Sequence, residues 1–162
     1  MKNTSMLLVA GAVILAVIVA VVLWNRTDVE PQQASAAESN DAALERMHSP
    51  SLGPRDAKVV ITEFLDPACE TCAAFYPFVK ELMAAHPEDI RLVVRFLPFH
   101  RGADGVVALL EAARRQDKLW PTLELTLATQ PRWAIHHVAD VNKLWPLLGS
   151  VNLDLEKIRA DM

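Results

Sequence analysis

The segment Val59–Phe78, VVITEFLDPACETCAAFYPF, constrains this chain more than any other. A β-branched apolar run stops at Asp66-Pro67, cysteines follow at Cys69 and Cys72, and a helical pattern takes over. These are the only two cysteines in 162 residues. A C-x-x-C pair at a strand-to-helix junction is the setting of a thiol–disulfide redox motif. A structural disulfide across so short a loop removes little chain entropy and makes a poor staple. A closed metal site needs four ligands, and the five histidines show no ligand spacing that would complete one. The sequence implies no metal and no organic cofactor.

A strand-to-helix junction also assigns roles. Cys69 lies at the mouth of the helix, where unpaired backbone N–H groups and the helix dipole stabilise a thiolate. It is the expected nucleophile. Cys72, one turn on, is the expected resolving partner. Between them stand Glu70 and Thr71 as the expected redox-tuning residues. Glu70 sets a carboxylate beside the nucleophile and should oppose thiolate formation. Glu63 lies on the preceding strand among apolar neighbours. Facing inward, it is a buried acid with a raised pKa, placed to exchange a proton with Cys72. Facing outward, it is an ordinary solvated strand residue.

Around this motif the chain falls into five stretches. Residues 1–5 form a short N-terminus carrying Lys2. Residues 6–24 form an uncharged run, Met6–Trp24, that would span about 28 Å as a helix, close to a bilayer core. It is longer than the roughly 7–15 apolar residues of a signal peptide. The small-residue sequence Ala34-Ser35-Ala36 lies too far beyond it for ordinary cleavage. We expect a transmembrane helix with the N-terminus in the cytoplasm and the domain on the periplasmic, extracytoplasmic side, anchored in the cell inner membrane. Residues 25–51, rich in Ala, Ser, Gln and Asn, read as a flexible linker.

Residues 52–104 read as a βαβ half: a strand at Val59–Leu65, a helix from Cys69 to His86 kinked at Pro77, and a parallel strand at Ile90–Leu97 closed by Pro98. Residues 105–162 read as almost wholly helical. Candidate helices are Val106–Arg115, Pro121–Thr129, Ile135–Leu148 and Leu153–Met162, the last capped by Asn152. On a helix, His136 and His137 would diverge by about 100° and could not share a metal. A net charge of −4 and the lack of a basic stripe exclude a nucleic-acid partner.

Over Leu52–Met162 the sequence resembles the thioredoxin superfamily, and within it the DsbA-like branch. GPRDAKVVITEFLDPACETC is similar to that branch's approach to its active site, with Glu63 six residues before Cys69 and Pro77 five after Cys72. VVRFLP at Val93–Pro98 is similar to its second strand, and residues 105–162 to its helical insertion. The resemblance implies an α/β thioredoxin-like βαβ unit with Pro77 and Pro98 in structural roles. It also implies disulfide exchange with exported protein thiols and disulfides, and a membrane or soluble redox partner that recycles the cysteine pair. That branch completes its sheet with a β-hairpin, a last helix and a cis-proline loop after the insertion. None is readable before Met162, so an incomplete sheet is expected, with uncovered apolar surface. Two alternatives remain: a Cu(I)-handling thioredoxin-like module, although such modules resemble C-x-x-x-C with a distant His, and a truncated interaction protein that is not catalytic.

Overall fold

The computed structural model describes Val13, residues 15–23 and residues 43–162. The chain divides into two units, Met1–Met47 and His48–Met162. In the first, Val13 and residues 15–23 are helical. The rest of the expected span 6–24, and most of the linker, lie outside the described residues. Among the described residues no helix is long and apolar enough to cross a membrane.

The second unit is built on a three-stranded sheet. Strand β1 is Ser51–Leu52, β2 is Val59–Leu65 and β3 is Ile90–Phe96, in the order β1-β3-β2. β2 and β3 run parallel, from Val59 opposite Ile90 to Leu65 opposite Phe96. β1 pairs antiparallel with β3, Ser51 opposite Val93. The sequence shows only the two longer strands. β1 is two residues long, and tertiary pairing rather than periodicity makes it a strand. Gly53 turns the chain out of β1 at φ +102, where a Cβ would come within 2.5 Å of the Ile90 carbonyl oxygen.

Burial follows the strand order. Central β3 holds Leu92, Val93 and Val94 fully buried, whereas edge strand β2 leaves Val59, Val60 and Phe64 exposed. Helix α1, Glu70–Ala85, joins the two parallel strands and contains Pro77. Its apolar residues form two stripes. Tyr76, Val79 and Met83 enter the core, while Phe75, Phe78 and Leu82 lie on the open side.

Helices α2, Ala103–Arg114, and α3, Leu119–Ala128, pack on each other and complete the core with α4, Leu155–Asp161. The expected helix Ile135–Leu148 is not there. Ala134–Ile135 (β4) and Val138–Ala139 (β5) form a small antiparallel hairpin, followed by 3₁₀ turns at Val141–Lys143 and Trp145–Val151. Buried Leu144 and Leu148 imitate a helical repeat because the 3₁₀ turns bring them to one side of the chain. His136 and His137 are therefore the two turn residues of the hairpin, with φ of 49° and 60°, rather than neighbours on a helix. The hairpin seats against Gly102 (φ +80), where a Cβ would meet the Ala139 carbonyl oxygen at 2.3 Å. The last helix is capped by Asp154, whose carboxylate accepts from the Lys157 amide at 3.1 Å. Asn152 is instead a left-handed residue ending the preceding 3₁₀ turn.

Candidate active site

The site lies at the carboxyl end of β2, beside the carboxyl end of β3. The parallel ladder ends as the Leu97 amide donates to the Leu65 carbonyl at 2.9 Å. Pro98, with no amide hydrogen, stops the pairing there. β2 then runs into Asp66, which is only 3% exposed. One Asp66 carboxylate oxygen accepts from the Ala68 amide at 2.8 Å. The other accepts from the Phe99 amide at 2.7 Å and the His100 amide at 2.8 Å, and meets the His100 Nδ1 at 2.7 Å. Asp66 thus ties the loop entering α1 to the loop leaving β3. The His137 ring stacks on His100, with centroids 4.7 Å apart.

Cys69 is the N-cap of α1, with extended backbone (φ −80°, ψ 117°) and no side-chain cap of its own. Its amide donates to the Asp66 carbonyl at 3.1 Å, and its carbonyl accepts from Ala73 at 3.1 Å. No side chain caps the first-turn amides of α1. Both cysteines are half-buried free thiols. Burial pushes the Cys72 thiol up to about 11; the Asp66 backbone amide opposes this, while Cys69 and Glu63 add to it. Glu70 and Thr71 occupy exposed positions in the first turn.

Glu63 shares its face of β2 with Ile61 and Leu65, which pack into the cluster containing Cys72, Ala73 and Tyr76. It is the inward-facing acid, half-buried, and burial raises its pKa above the ordinary carboxyl value. Its Oε2 is shut off from solvent and has no hydrogen-bond partner among the described residues.

Two residues of this site, Asp66 and Gln130, escaped sequence reasoning. Asp66 reads there only as the point where the apolar run stops. Gln130 lies in the 3₁₀ turn Gln130–Arg132 and is 4% exposed. Its side-chain amide donates to the Pro67 carbonyl at 2.8 Å and the Cys69 carbonyl at 3.0 Å. The helical region thereby also holds the cysteine loop. Only the rarity of a buried, unpaired Asp or Gln signals such residues, and burial is not readable from one sequence. Among the described residues, no three His, Cys, Asp or Glu side chains are grouped to hold a metal ion.

A parallel βαβ unit with C-x-x-C at the helix mouth and a helical region packed over it defines a thioredoxin-like protein. The thioredoxin family model matches residues 45–160, and the chain belongs to that family. A thioredoxin-like oxidoreductase from Silicibacter pomeroyi superposes with a TM-score of 0.62 at 26% identity, covering 75% of this chain and 66% of that one. The α-DsbA1 of Wolbachia pipientis superposes with a TM-score of 0.63 at 17% identity, covering 76% of this chain and 63% of that one. In sequence, the chain is 31% identical over 110 residues to the Na(+)/H(+) antiporter NhaA of Herminiimonas arsenicoxydans. That match takes in 68% of this chain and 17% of the antiporter, so the chain spans about a sixth of that relative's length.

Proposed function

We propose that the chain is a thiol–disulfide oxidoreductase that exchanges disulfides with exported proteins. The observation that carries this reading is Cys69 as the N-cap of α1, with the half-buried Cys72 thiol one turn behind it. The Cys69 thiolate attacks one sulfur of a substrate disulfide, forming a mixed disulfide and releasing the other substrate sulfur as a thiol after it takes a proton. Cys72 then gives its proton to Glu63 and attacks the Cys69 sulfur. The Cys69–Cys72 disulfide forms, and the second substrate thiolate leaves and is protonated. The substrate is reduced by two electrons and the cysteine pair oxidised by two; the reverse sequence oxidises a substrate dithiol. A raised Cys72 pKa suits this order, because it keeps Cys72 a thiol while Cys69 attacks.

Within this reading Glu70 and Thr71 tune the pair. Pro77 and Pro98 shape α1 and the end of β3. A membrane or soluble redox partner restores the pair after each turnover. The uncharged run 6–24 supports attachment to the inner membrane with residues 52–162 on the periplasmic side, and an oxidising compartment suits the cysteine pair.

The test is a Cys72→Ala trap. In this variant the mixed disulfide cannot resolve, so exported proteins should accumulate on Cys69 as adducts released by reductant. Without such adducts, with Cys69 present and the chain folded, the reading fails. Alkaline extraction and protease protection of the full chain test the attachment and its sidedness.

A further inference from the structure

The small hairpin β4–β5 carries a ring to the edge of the redox loop. Ile135 and Val138 face each other across its ladder, so His136 and His137 are the two turn residues between them. A two-residue turn with φ of 49° and 60° selects Asn-Gly or Gly-Gly, and glycine would suit either position better than histidine. The turn therefore gives no local reason for a histidine at 137. The tertiary structure does: the His137 ring stacks on His100, with centroids 4.7 Å apart and planes 21° from parallel.

That stack is one link in a continuous series of contacts. His100 Nδ1 meets Asp66 Oδ2 at 2.7 Å. The same oxygen already accepts the Phe99 and His100 amides, and a carboxylate only accepts, so Nδ1 carries the hydrogen. The Asp66 carbonyl accepts from the Cys69 amide at 3.1 Å, and the Asp66 amide acts on the Cys72 sulfur. Asp66 therefore touches both halves of the cysteine pair through its own backbone. The hairpin is fixed to the loop that bears His100 at a second place: the Ala139 amide donates to the Arg101 carbonyl at 2.9 Å. A ring held only at its edge can swing about that one hydrogen bond. A second ring laid on its face fixes its plane and keeps Nδ1 directed at the carboxylate.

We propose that His137 is a positioning residue for the redox pair: by stacking on His100 it fixes the His100–Asp66 bond, and through the Asp66 backbone it places Cys72 for its attack on the Cys69 sulfur. This deepens the oxidoreductase reading and rests on it. The hairpin, remote from the cysteines in sequence, thereby sets how fast the mixed disulfide resolves.

The experiment measures that resolving step in the full chain. Reduced protein is mixed with oxidised glutathione at one fixed neutral pH, quenched in acid, and the glutathione adduct on Cys69 is followed by mass. The Cys69 thiolate takes one glutathione sulfur and releases the other as a thiolate. Cys72, having lost its proton, then displaces the bound glutathione and closes the Cys69–Cys72 disulfide. His137→Gly removes the ring and suits the φ of 60°, so the melting temperature should stay close to wild type. Decay of the adduct should nevertheless slow about threefold, the scale of one lost aromatic pair. His137→Phe keeps a stacking ring and should restore the wild-type rate. His100→Ala removes the next link and should slow decay at least as much, and His137→Gly added to it should slow decay no further. Decay in His137→Gly as fast as wild type or faster, failure of His137→Phe to restore it, or full additivity with His100→Ala overturns the positioning role and leaves the oxidoreductase reading intact. A wild-type chain that forms no adduct overturns both.

Discussion

The side-chain amide of Gln130 donates to the backbone carbonyl of Cys69 at 3.0 Å and so couples the helical region to the peptide that enters α1. The same amide reaches the Pro67 carbonyl at 2.8 Å, bracketing the turn that delivers Cys69 to the helix mouth. Gln130→Leu leaves both carbonyls without this donor in a buried setting. We expect a loss of about 1–3 kcal/mol in urea unfolding. Gln130→Glu should be worse, since a carboxylate faces two carbonyl oxygens. Equal stability of Gln130→Leu and wild type would mean that the clamp carries no weight.

Asp66 makes the second clamp. Its carboxylate accepts three backbone amides and meets the His100 ring. Asp66→Ala strands those donors, two of them on the loop after β3, and should cost about 3–5 kcal/mol. Asp66→Asn keeps the shape but turns a donor toward other donors, so it should not rescue fully. His100→Ala keeps the backbone amides and removes the ring's contacts with Asp66 and His137, and should cost about 1 kcal/mol. Three chemical denaturation curves decide the ranking.

Glu63 makes stability depend on pH. Burial raises its folded pKa above the ordinary value of 4.5. Between that value and the folded one, the folded chain therefore holds a proton that the unfolded chain has released. Its contribution is fully present below about pH 4.5 and is lost as pH rises through the folded value. Glu63→Leu should flatten this segment of the stability–pH curve. It should also stabilise the chain by about 1 kcal/mol at neutral pH, because it removes an unpartnered buried oxygen. A segment equally steep in the variant would show that another group titrates there.

Cys72 is expected to be the slow thiol. With its pKa pushed up to about 11, it should resist alkylation near neutral pH. In Cys69→Ser the contributions of Cys69 disappear but burial, the largest cause, remains. The pH midpoint for iodoacetamide labelling of Cys72 should then fall below about 11 and stay above the ordinary thiol value of 9.0. Labelling at the rate of a free thiol across neutral pH would contradict the burial.

The sequence by itself determined the elements whose periodicity is local and strong. Val59–Leu65 is a β-branched apolar run and forms the strand at those bounds, although its place at the sheet edge leaves Val59, Val60 and Phe64 exposed. The cysteine spacing and the position of Cys69 before a helical pattern placed Cys69 at a helix N-terminus. Glu63 stood out as an acid within an apolar run, and the sheet turned it inward. Tertiary structure alone decided the rest. β1 exists because β3 offers a free edge, and two residues have no period to read. The stretch 134–151 imitates a helix in its apolar spacing, yet the His136-His137 turn and the seat at Gly102 fold it into a hairpin and 3₁₀ turns. The clamps are decided at longest range: Asp66 meets His100 across 34 residues and Gln130 meets Cys69 across 61. Whether an Asp or Gln is buried and bonded depends on which distant backbone groups the fold brings to it. Local sequence carries the period of an element; it does not carry the partners of a polar side chain.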